Sequence, residues 1–216
     1  MAVPSWRVHI TVVGFSFGLL AMGMLRYLES GWATPGYVIL TIFCAMALQR
    51  YGVPLNRFGF AQGVKLRMVG LALLGIAFLQ LLNHYLYPLI EEGLGVERDL
   101  QRFVEVGGNL PELMALLLFS WTFAAFGEEL AYRVVLFRGI AFVLGDSRLA
   151  TCLALIIQAL IFGIVHAYQG PVGVISATVS GLVFGALMVS CRHSIWPAAI
   201  AHGGNNTIGI LLLYQA

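Results

Sequence analysis

Formal charge is scarce in this chain. Of its 216 residues only twelve are Lys or Arg and ten are Asp or Glu, whereas 60% are hydrophobic. Soluble domains usually carry charge on about 25% of their residues. This composition excludes a disordered chain, a nucleic-acid binder with a basic face and almost every soluble enzyme fold. It predicts an integral membrane protein, in which the positions of the few charges become informative.

Cysteine is scarce too. Cys44, Cys152 and Cys191 lie far apart, each within or at the end of an apolar run. They form neither a CxxC pair nor a cluster with histidine, so neither a disulfide framework nor a thiolate metal site is predicted. We expect all three to pack as small apolar side chains.

Long apolar segments predict an all-α fold, a polytopic bundle of transmembrane helices. A helix needs about 20 mostly apolar residues to cross the hydrocarbon core of a bilayer. Seven segments approach or meet this length, over residues 8–25, 31–49, 68–90, 113–127, 149–168, 172–190 and 194–214. The count becomes eight if 134–146 crosses separately. We expect one integral domain, in which 1–110 form N-terminal helices and an acidic outer loop and 111–216 form the core that carries the motifs below.

The charged loops predict how the chain is oriented. Four basic residues and no acidic one separate the second and third spans: Arg50, Arg57, Lys65 and Arg67. Residues 91–112 hold six acidic residues against two arginines. Because cytoplasmic loops are enriched in Lys and Arg, the first loop and the N-terminus are predicted to be cytoplasmic and 91–112 to face outward. The small size and the lack of an accessory domain suggest the inner membrane of a prokaryote.

Ionisable side chains inside spans are costly and are therefore candidates for function. The first such group is Glu128, Glu129 and Arg133. Glu129 and Arg133 share one helical face in the favourable acid-first order, whereas Glu128 is rotated about 100° away. We therefore expect Arg133 to hold Glu129 and Glu128 to be free for chemistry. The alternative is that all three only mark the cytoplasmic end of a span, where charged side chains reach the headgroups.

Two further polar groups lie in apolar segments. Phe162 and His166 are one turn apart, although a lone histidine there is more often a core residue than a catalyst. His202 and Asn206 are also one turn apart, and the two glycines between them thin the helix so that backbone or substrate can approach. An asparagine in lipid must find a hydrogen-bond partner, which favours an interior position for Asn206.

These groups are predicted to meet. Residues 146–148 are expected to form a hairpin turn, with Glu128 19 residues before its centre and His166 19 residues after it. At about 1.5 Å per residue both lie roughly 28 Å from the turn, so antiparallel helices bring them to equal depth. His202 follows Arg192 by ten residues and is expected nearby. The interpretation places the whole group in the cytoplasmic half of the bilayer.

Taken in order, the three groups resemble the motifs of the CAAX-protease and bacteriocin-processing family (CPBP, or Abi) of intramembrane proteases. The matching patterns are Glu128-Glu129-xxx-Arg133, Phe162-xxx-His166 and His202-xxx-Asn206. The segment from Ser194 to His202 is also similar to that family's lead-in to its last motif. The resemblance covers about the C-terminal half, and residues 1–110 carry no family-specific pattern.

The resemblance implies an Rce1-like endopeptidase, which cleaves near the C-terminus of lipid-modified proteins. It implies that Glu128 and His166 activate the attacking water. It further implies that His202 and Asn206 bind the oxyanion, with Glu129 and Arg133 as support. Hydrogen-bond donors in a low-dielectric site stabilise developing charge, which is usually a large contribution to catalysis.

Metal dependence stays open at this point. Glu128, His166 and His202 could ligate zinc and leave one position for water. No HExxH motif is present, and we favour a glutamate-dependent mechanism without a cofactor, with zinc as the alternative.

Other functions fit parts of the pattern. Paired carboxylates and membrane histidines also build proton relays, so a proton-coupled transporter is the main alternative. The lack of inverted repeats with matching broken helices weighs against a transporter. A third hypothesis is a catalytically silent scaffold or immunity factor. For a protease, the substrate could be a CAAX-like prenylated protein, a peptide precursor or a protein with a C-terminal sorting signal.

Overall fold

The chain is almost entirely helical in its computed structural model, which describes residues 5–29, 31–55, 59–60 and 63–216. These ranges contain no strand, and their one β-bridge joins Gly59 to Ser194. Helices satisfy every backbone N–H and C=O group within one segment, as a bilayer requires. The predicted all-α, polytopic membrane fold is confirmed. Arg57, one of the residues used to predict orientation, lies outside the described ranges.

Seven long helices make up the bundle in the described ranges. They are α1 Trp6–Tyr27, α2 Ala33–Arg50, α3 Leu66–Leu94, α4 Leu110–Val143, α5 Arg148–Ile164, α6 Gly170–Ser190 and α7 Trp196–Gln215. A short 3-10 helix, Gln101–Val106, lies between α3 and α4. One helix thus occupies each of the seven predicted segments.

Four of these segments are long and apolar enough to cross a membrane by length and composition: α1, α3, α4 and Ala167–Ser190, which contains α6. α5 has only 17 residues. α7 carries a histidine and two asparagines, which lower its hydropathy. The polar side chains that predicted a functional site therefore also weaken the signal for a span.

α4 corrects two expectations. It runs without a break for 34 residues, of which Ser120–Glu128 and Leu130–Leu136 are π-helical. The predicted end of a span at Gly127 is therefore wrong, and 134–146 do not form a separate span. Glu128, Glu129 and Arg133 lie within the helix instead of at its end. Charged residues resemble a membrane boundary in the sequence, but here partners on other helices compensate their charges inside the bundle.

The charged loops segregate to the two ends of the bundle. The basic end carries Arg50, Arg67, Arg148 and Arg192, at or next to the termini of α2, α3, α5 and α6. The acidic end carries Glu29, Glu91, Glu97 and Asp99. Backbone hydrogen bonds close each end: Gly59 donates to His193 at the basic end (2.8 Å), and Asp99 donates to Gln169 at the acidic end (3.1 Å).

Small residues bring α5 and α6 together. A Cβ atom added to Gly181 would lie 3.1 Å from the Cα atom of Ala159, and one added to Gly163 would lie 2.8 Å from the carbonyl oxygen of Val174. Backbones this close leave no room for a larger side chain, as is usual at helix contacts in membranes. The contact holds Phe162, next to Gly163, against the interior of the bundle.

Candidate active site

A fully buried ion pair lies at the centre of the site. Arg133 Nε is 3.0 Å from Glu129 Oε2, and neither side chain is exposed to solvent. The guanidinium group lies over the ring of Phe162, 4.7 Å from its centroid, and over Phe184 at 5.5 Å. Its Nη2 also donates to the carbonyl oxygen of Gly181 at 3.5 Å. The pairing expected from the four-residue spacing is therefore present, packed between α5 and α6.

His202 is joined to this ion pair. Its Nδ1 lies 2.9 Å from Glu129 Oε1, and since a carboxylate accepts, Nδ1 carries the proton. The ring stacks on Phe184 with centroids 4.7 Å apart. Its second nitrogen, Nε2, is 4.0 Å from Glu128 Oε2. Glu129 therefore fixes the His202 ring so that Nε2 points towards the other carboxylate.

Glu128 is held from the opposite side by a residue of α1. Its Oε1 is 3.4 Å from Arg26 Nη1. Its Oε2 is buried and forms no hydrogen bond with any described residue. The α1 helix can come this close because Gly23 lacks a side chain: a Cβ atom there would lie 2.8 Å from the Cα atom of Val165. One oxygen of Glu128 is thus anchored and the other remains available as an acceptor.

His166 lies in the turn between α5 and α6. The helix ends at Ile164, so the prediction that His166 sits within an apolar helix is wrong. Gly170, with φ +75°, and Pro171 reverse the chain here. His166 Nδ1 donates to the carbonyl oxygen of Phe162 at 2.7 Å, which leaves Nε2 as the nitrogen able to take up a proton.

One cavity of about 1030 Å³ brings the predicted reactive side chains together. Glu128, His166, His202 and Asn206 all line it. Glu129 and Arg133 do not belong to its lining, and they lie behind Glu128 and His202. Glu128 thus lines the cavity and is itself held by Arg26, whereas Glu129 is enclosed behind it.

The glycines between His202 and Asn206 have a different role from the one expected. A Cβ atom on Gly203 would lie 2.6 Å from the ring of Trp121, and one on Gly204 would lie 2.5 Å from Ile76. Neighbouring helices, not substrate, occupy the space that these glycines leave. The two small residues therefore set how α3 and α4 pack on α7.

Several cavity residues carry no signal at the level of local sequence spacing. Arg26 is the main one, because it contacts Glu128 across 102 positions of the chain. Gln80 donates to Asn205 Oδ1 at 2.9 Å and so fixes the residue before Asn206. Tyr168 lies under the guanidinium groups of Arg26 and Arg102, at 5.6 and 4.8 Å from its ring centroid. Only one sequence feature points to Arg26: it is a basic residue in the last turn of α1, at the end of the bundle that carries the acidic loops.

The depth of the site also differs from the expectation. Besides the motif residues, the cavity is lined by Glu29, Glu91, Glu97 and Arg98, all at the acidic end. The site therefore lies in the half of the bundle next to residues 91–106, away from the 146–148 turn. The 28 Å estimated between Glu128 and that turn already equals most of the roughly 30 Å hydrocarbon core. A site in the cytoplasmic half and an acidic loop facing outward cannot both be right.

No group of three His, Cys, Asp or Glu side chains in the described part of the chain is arranged to hold a metal ion. Glu128, His166 and His202 line the same cavity, but His202 Nε2 and Glu128 Oε2 are 4.0 Å apart. Zinc holds nitrogen and oxygen ligands at about 2.0–2.2 Å in a tetrahedral arrangement. Two ligand atoms at those distances from a tetrahedral zinc are about 3.4 Å apart, so the zinc alternative requires His202 and Glu128 to approach each other by roughly 0.6 Å.

Comparison with known families gives one match. Residues 110–208 match the family model described as "Type II CAAX prenyl endopeptidase Rce1-like". No curated protein and no solved structure shows significant similarity. The matched segment contains all three motifs, which the fold gathers around one cavity within apolar helices. The resemblance predicted from the motifs is confirmed over this segment: residues 110–208 are similar to the Rce1-like type II CAAX prenyl endopeptidases.

Proposed function

We propose that this membrane peptidase hydrolyses a peptide bond with a water molecule activated by Glu128 and His166. The observation that carries the proposal is the asymmetric environment of Glu128, with one oxygen anchored by Arg26 and the other buried in the cavity without a hydrogen bond to a described residue. A carboxylate held in this way is a suitable general base. His166 lines the same cavity, and its Nε2 can share the proton.

The bond changes follow from these positions. Glu128 removes a proton from a water molecule while the oxygen of that water attacks the carbonyl carbon of the substrate. The negative charge moves to the carbonyl oxygen, where His202 Nε2–H and the amide of Asn206 donate hydrogen bonds. The proton then passes to the amide nitrogen, the carbonyl re-forms and the C–N bond breaks. The products are a carboxylic acid and an amine, which exchange a proton to become a carboxylate and an ammonium group. Proton transfer of this kind typically contributes a factor of about 10²–10⁴ to the rate.

Glu129 and Arg133 act through His202 in this proposal. If Nδ1 donates to Glu129 while Nε2 donates to an oxyanion, the imidazole ring must carry both protons. The carboxylates of Glu128 and Glu129, at 4.0 and 2.9 Å, compensate that charge. Preorganised donors cost no reorganisation during the reaction, and Arg133 keeps Glu129 in place.

The proposed substrate is a membrane-associated or lipid-modified protein that is cut near its C-terminus, for example at a sorting signal. The family implies a peptide or protein substrate within a membrane. A cavity of about 1030 Å³ is large enough for a short stretch of extended peptide. Its lining combines apolar side chains, such as Leu79 and Leu116, with the polar motif residues.

Removing metal from the purified protein is expected to leave peptide cleavage unchanged within about twofold. The reason is that the proposal assigns water activation to Glu128 and His166 instead of zinc. The measurement is the cleavage rate of the protein in detergent or vesicles after chelation, with zinc content determined on the same sample. Loss of activity on chelation and its recovery with added zinc would establish the metal alternative.

Arg26→Gln is expected to lower kcat about 10²-fold with a much smaller change in KM. Arg26 anchors one oxygen of Glu128, and a base displaced by about 1 Å loses roughly this factor. Arg26→Lys keeps the charge and should recover part of the rate. Steady-state kinetics of both variants, with Arg50→Gln at the exposed end of α2 as control, test the role. An effect on KM alone would mean that Arg26 binds substrate instead of positioning Glu128.

A further inference from the structure

The lining of the catalytic cavity runs from the acidic loops inward to Glu128, Phe184 and His202. In α1 and α5 the first residues that line the cavity are Arg26 and Phe162, close to the ends of these helices that meet the acidic loops, and in α3 the first is Leu79, at the middle of the helix. In α4 and α6 it stops at Glu128 and Phe184. In α7 the lining starts at His202, the seventh residue of the helix. On each of these helices the lining therefore stops short of the basic end. The cavity opens towards the acidic end.

Between the inner end of the cavity and the basic end, the bundle is packed mainly with apolar side chains. Five large residues there are at most 1% exposed: Leu48, Leu136, Phe137, Met188 and Ile195. They come from α2, α4, α6 and the start of α7. Close-packed interiors of this kind leave no path for water between the side chains. Water and substrate therefore reach Glu128 from the acidic end or laterally from the lipid beside it, and not through the basic end.

The distribution of charge indicates which end of the bundle faces the cytoplasm. Within the described residues, the basic end holds Arg50, Lys65, Arg67, Arg148 and Arg192 against one acidic residue, Asp146, which pairs with Arg138. Loops rich in Lys and Arg stay in the cytoplasm, and acidic residues contribute little to the choice. The basic end is then cytoplasmic and the cavity opens on the opposite side.

We propose that the active site faces the extracytoplasmic side, so that its substrates are membrane-anchored proteins whose scissile bond has been exported. The substrate class rests on the proposed peptidase function, whereas the direction of the opening does not. A lipid-modified C-terminus held at the cytoplasmic face would lie at the packed end of the bundle, across the apolar layer from Glu128. An exported juxtamembrane segment lies at the height of the cavity mouth, where Glu29 and Arg102 pair at 3.6 Å.

Cysteine labelling tests the opening. In a variant with Cys44, Cys152 and Cys191 replaced by alanine, single cysteines are introduced as a matched pair on α6, Ser180→Cys in the cavity and Ser190→Cys at the basic end. Glu92→Cys, exposed at the acidic end, reports the outer loop. The probe is a membrane-impermeant maleimide added to spheroplasts of a bacterial host, and a permeant maleimide shows that each cysteine can react.

We expect the impermeant reagent to label Glu92→Cys and Ser180→Cys in intact spheroplasts, and Ser190→Cys only after permeabilisation. Labelling of Ser190→Cys but not Glu92→Cys in intact spheroplasts would overturn the orientation. If Ser180→Cys is labelled only after permeabilisation, as expected for Ser190→Cys, the proposed direction of the opening is wrong. Labelling does not depend on activity, so it decides this point even if no cleavage is ever detected.

The substrate class has its own readout. Protein C-termini are compared by mass spectrometry between cells that express the native chain and cells that express Glu128→Gln. We expect termini specific to the native chain to map to outward-facing segments next to a membrane anchor. Termini in cytoplasmic segments would overturn the substrate class. If no terminus differs while the labelling is as expected, the proposed peptidase function fails and the outward opening stands.

Discussion

Glu128→Gln is expected to reduce peptide cleavage by about 10³-fold or more. Glutamine has nearly the same shape and can still accept a hydrogen bond from Arg26, which lies 3.4 Å from Glu128 Oε1, but it cannot take a proton from water. General bases typically contribute about 10²–10⁴ to the rate. The measurement is the initial rate of cleavage under single-turnover conditions, where product release does not mask the chemical step.

A matched control lies on the same helix. Glu112 is exposed in the first turn of α4 and does not line the cavity, so Glu112→Gln should cleave at the rate of the native chain. Thermal unfolding of both variants shows whether the fold is retained. If folded Glu128→Gln keeps more than about a tenth of the native rate, Glu128 is not the general base. A similarly strong loss in Glu112→Gln would point to an effect of α4 as a whole.

The motif residues could be predicted because helical spacing is a local property. Residues four apart lie on one face of a helix, which is enough to pair Glu129 with Arg133. Counting residues on both sides of the 146–148 turn then matched Glu128 with His166, and both line the same cavity. The order of the three groups along the chain indicates a resemblance to the Rce1-like family, and the match of residues 110–208 to that family model confirms the resemblance.

Contacts between distant helices could not be predicted in this way. Arg26 meets Glu128 only because Gly23 allows α1 to approach Val165, and no spacing within α1 reveals that contact. The bond between His202 and Glu129 joins residues 73 positions apart. It makes one connected group of two motifs that the sequence presents as separate, and it gives Glu129 a partner besides Arg133.

Hydropathy misplaced the end of α4 for a related reason. A stretch containing Glu128, Glu129 and Arg133 is too polar to be read as the interior of a span. In the folded chain, Arg26 and His202 supply partners for the two carboxylates, so the helix continues to Val143. The placement of the site in the cytoplasmic half inherited this error, because it put the site at the end of a span next to basic residues. The depth of a charged group is set by its partners as much as by its own polarity.

Breaking the buried ion pair is expected to give the largest loss of stability. Arg133→Met removes the guanidinium group but leaves the Glu129 carboxylate fully buried, with His202 as its remaining partner. Removing one member of a buried pair typically costs about 3–5 kcal/mol. For a chain of this length such a loss lowers Tm by about 10 °C or more. Thermal unfolding in detergent, followed by tryptophan fluorescence, measures the shift, and Arg50→Met at the exposed end of α2 should change Tm by no more than about 2 °C.

The double variant Glu129→Gln/Arg133→Met separates stability from function. Neutralising both members removes the uncompensated charge, so most of the lost Tm should return, as expected for buried pairs replaced by neutral groups. Cleavage should stay strongly reduced, because His202 Nδ1 then faces an uncharged amide and the ring is no longer stabilised with both protons. Recovery of both Tm and cleavage would show that Glu129 and Arg133 only support the fold. Loss of stability in the double variant beyond that of Arg133→Met would instead show that the pair itself stabilises the packing of α4 against α5 and α6.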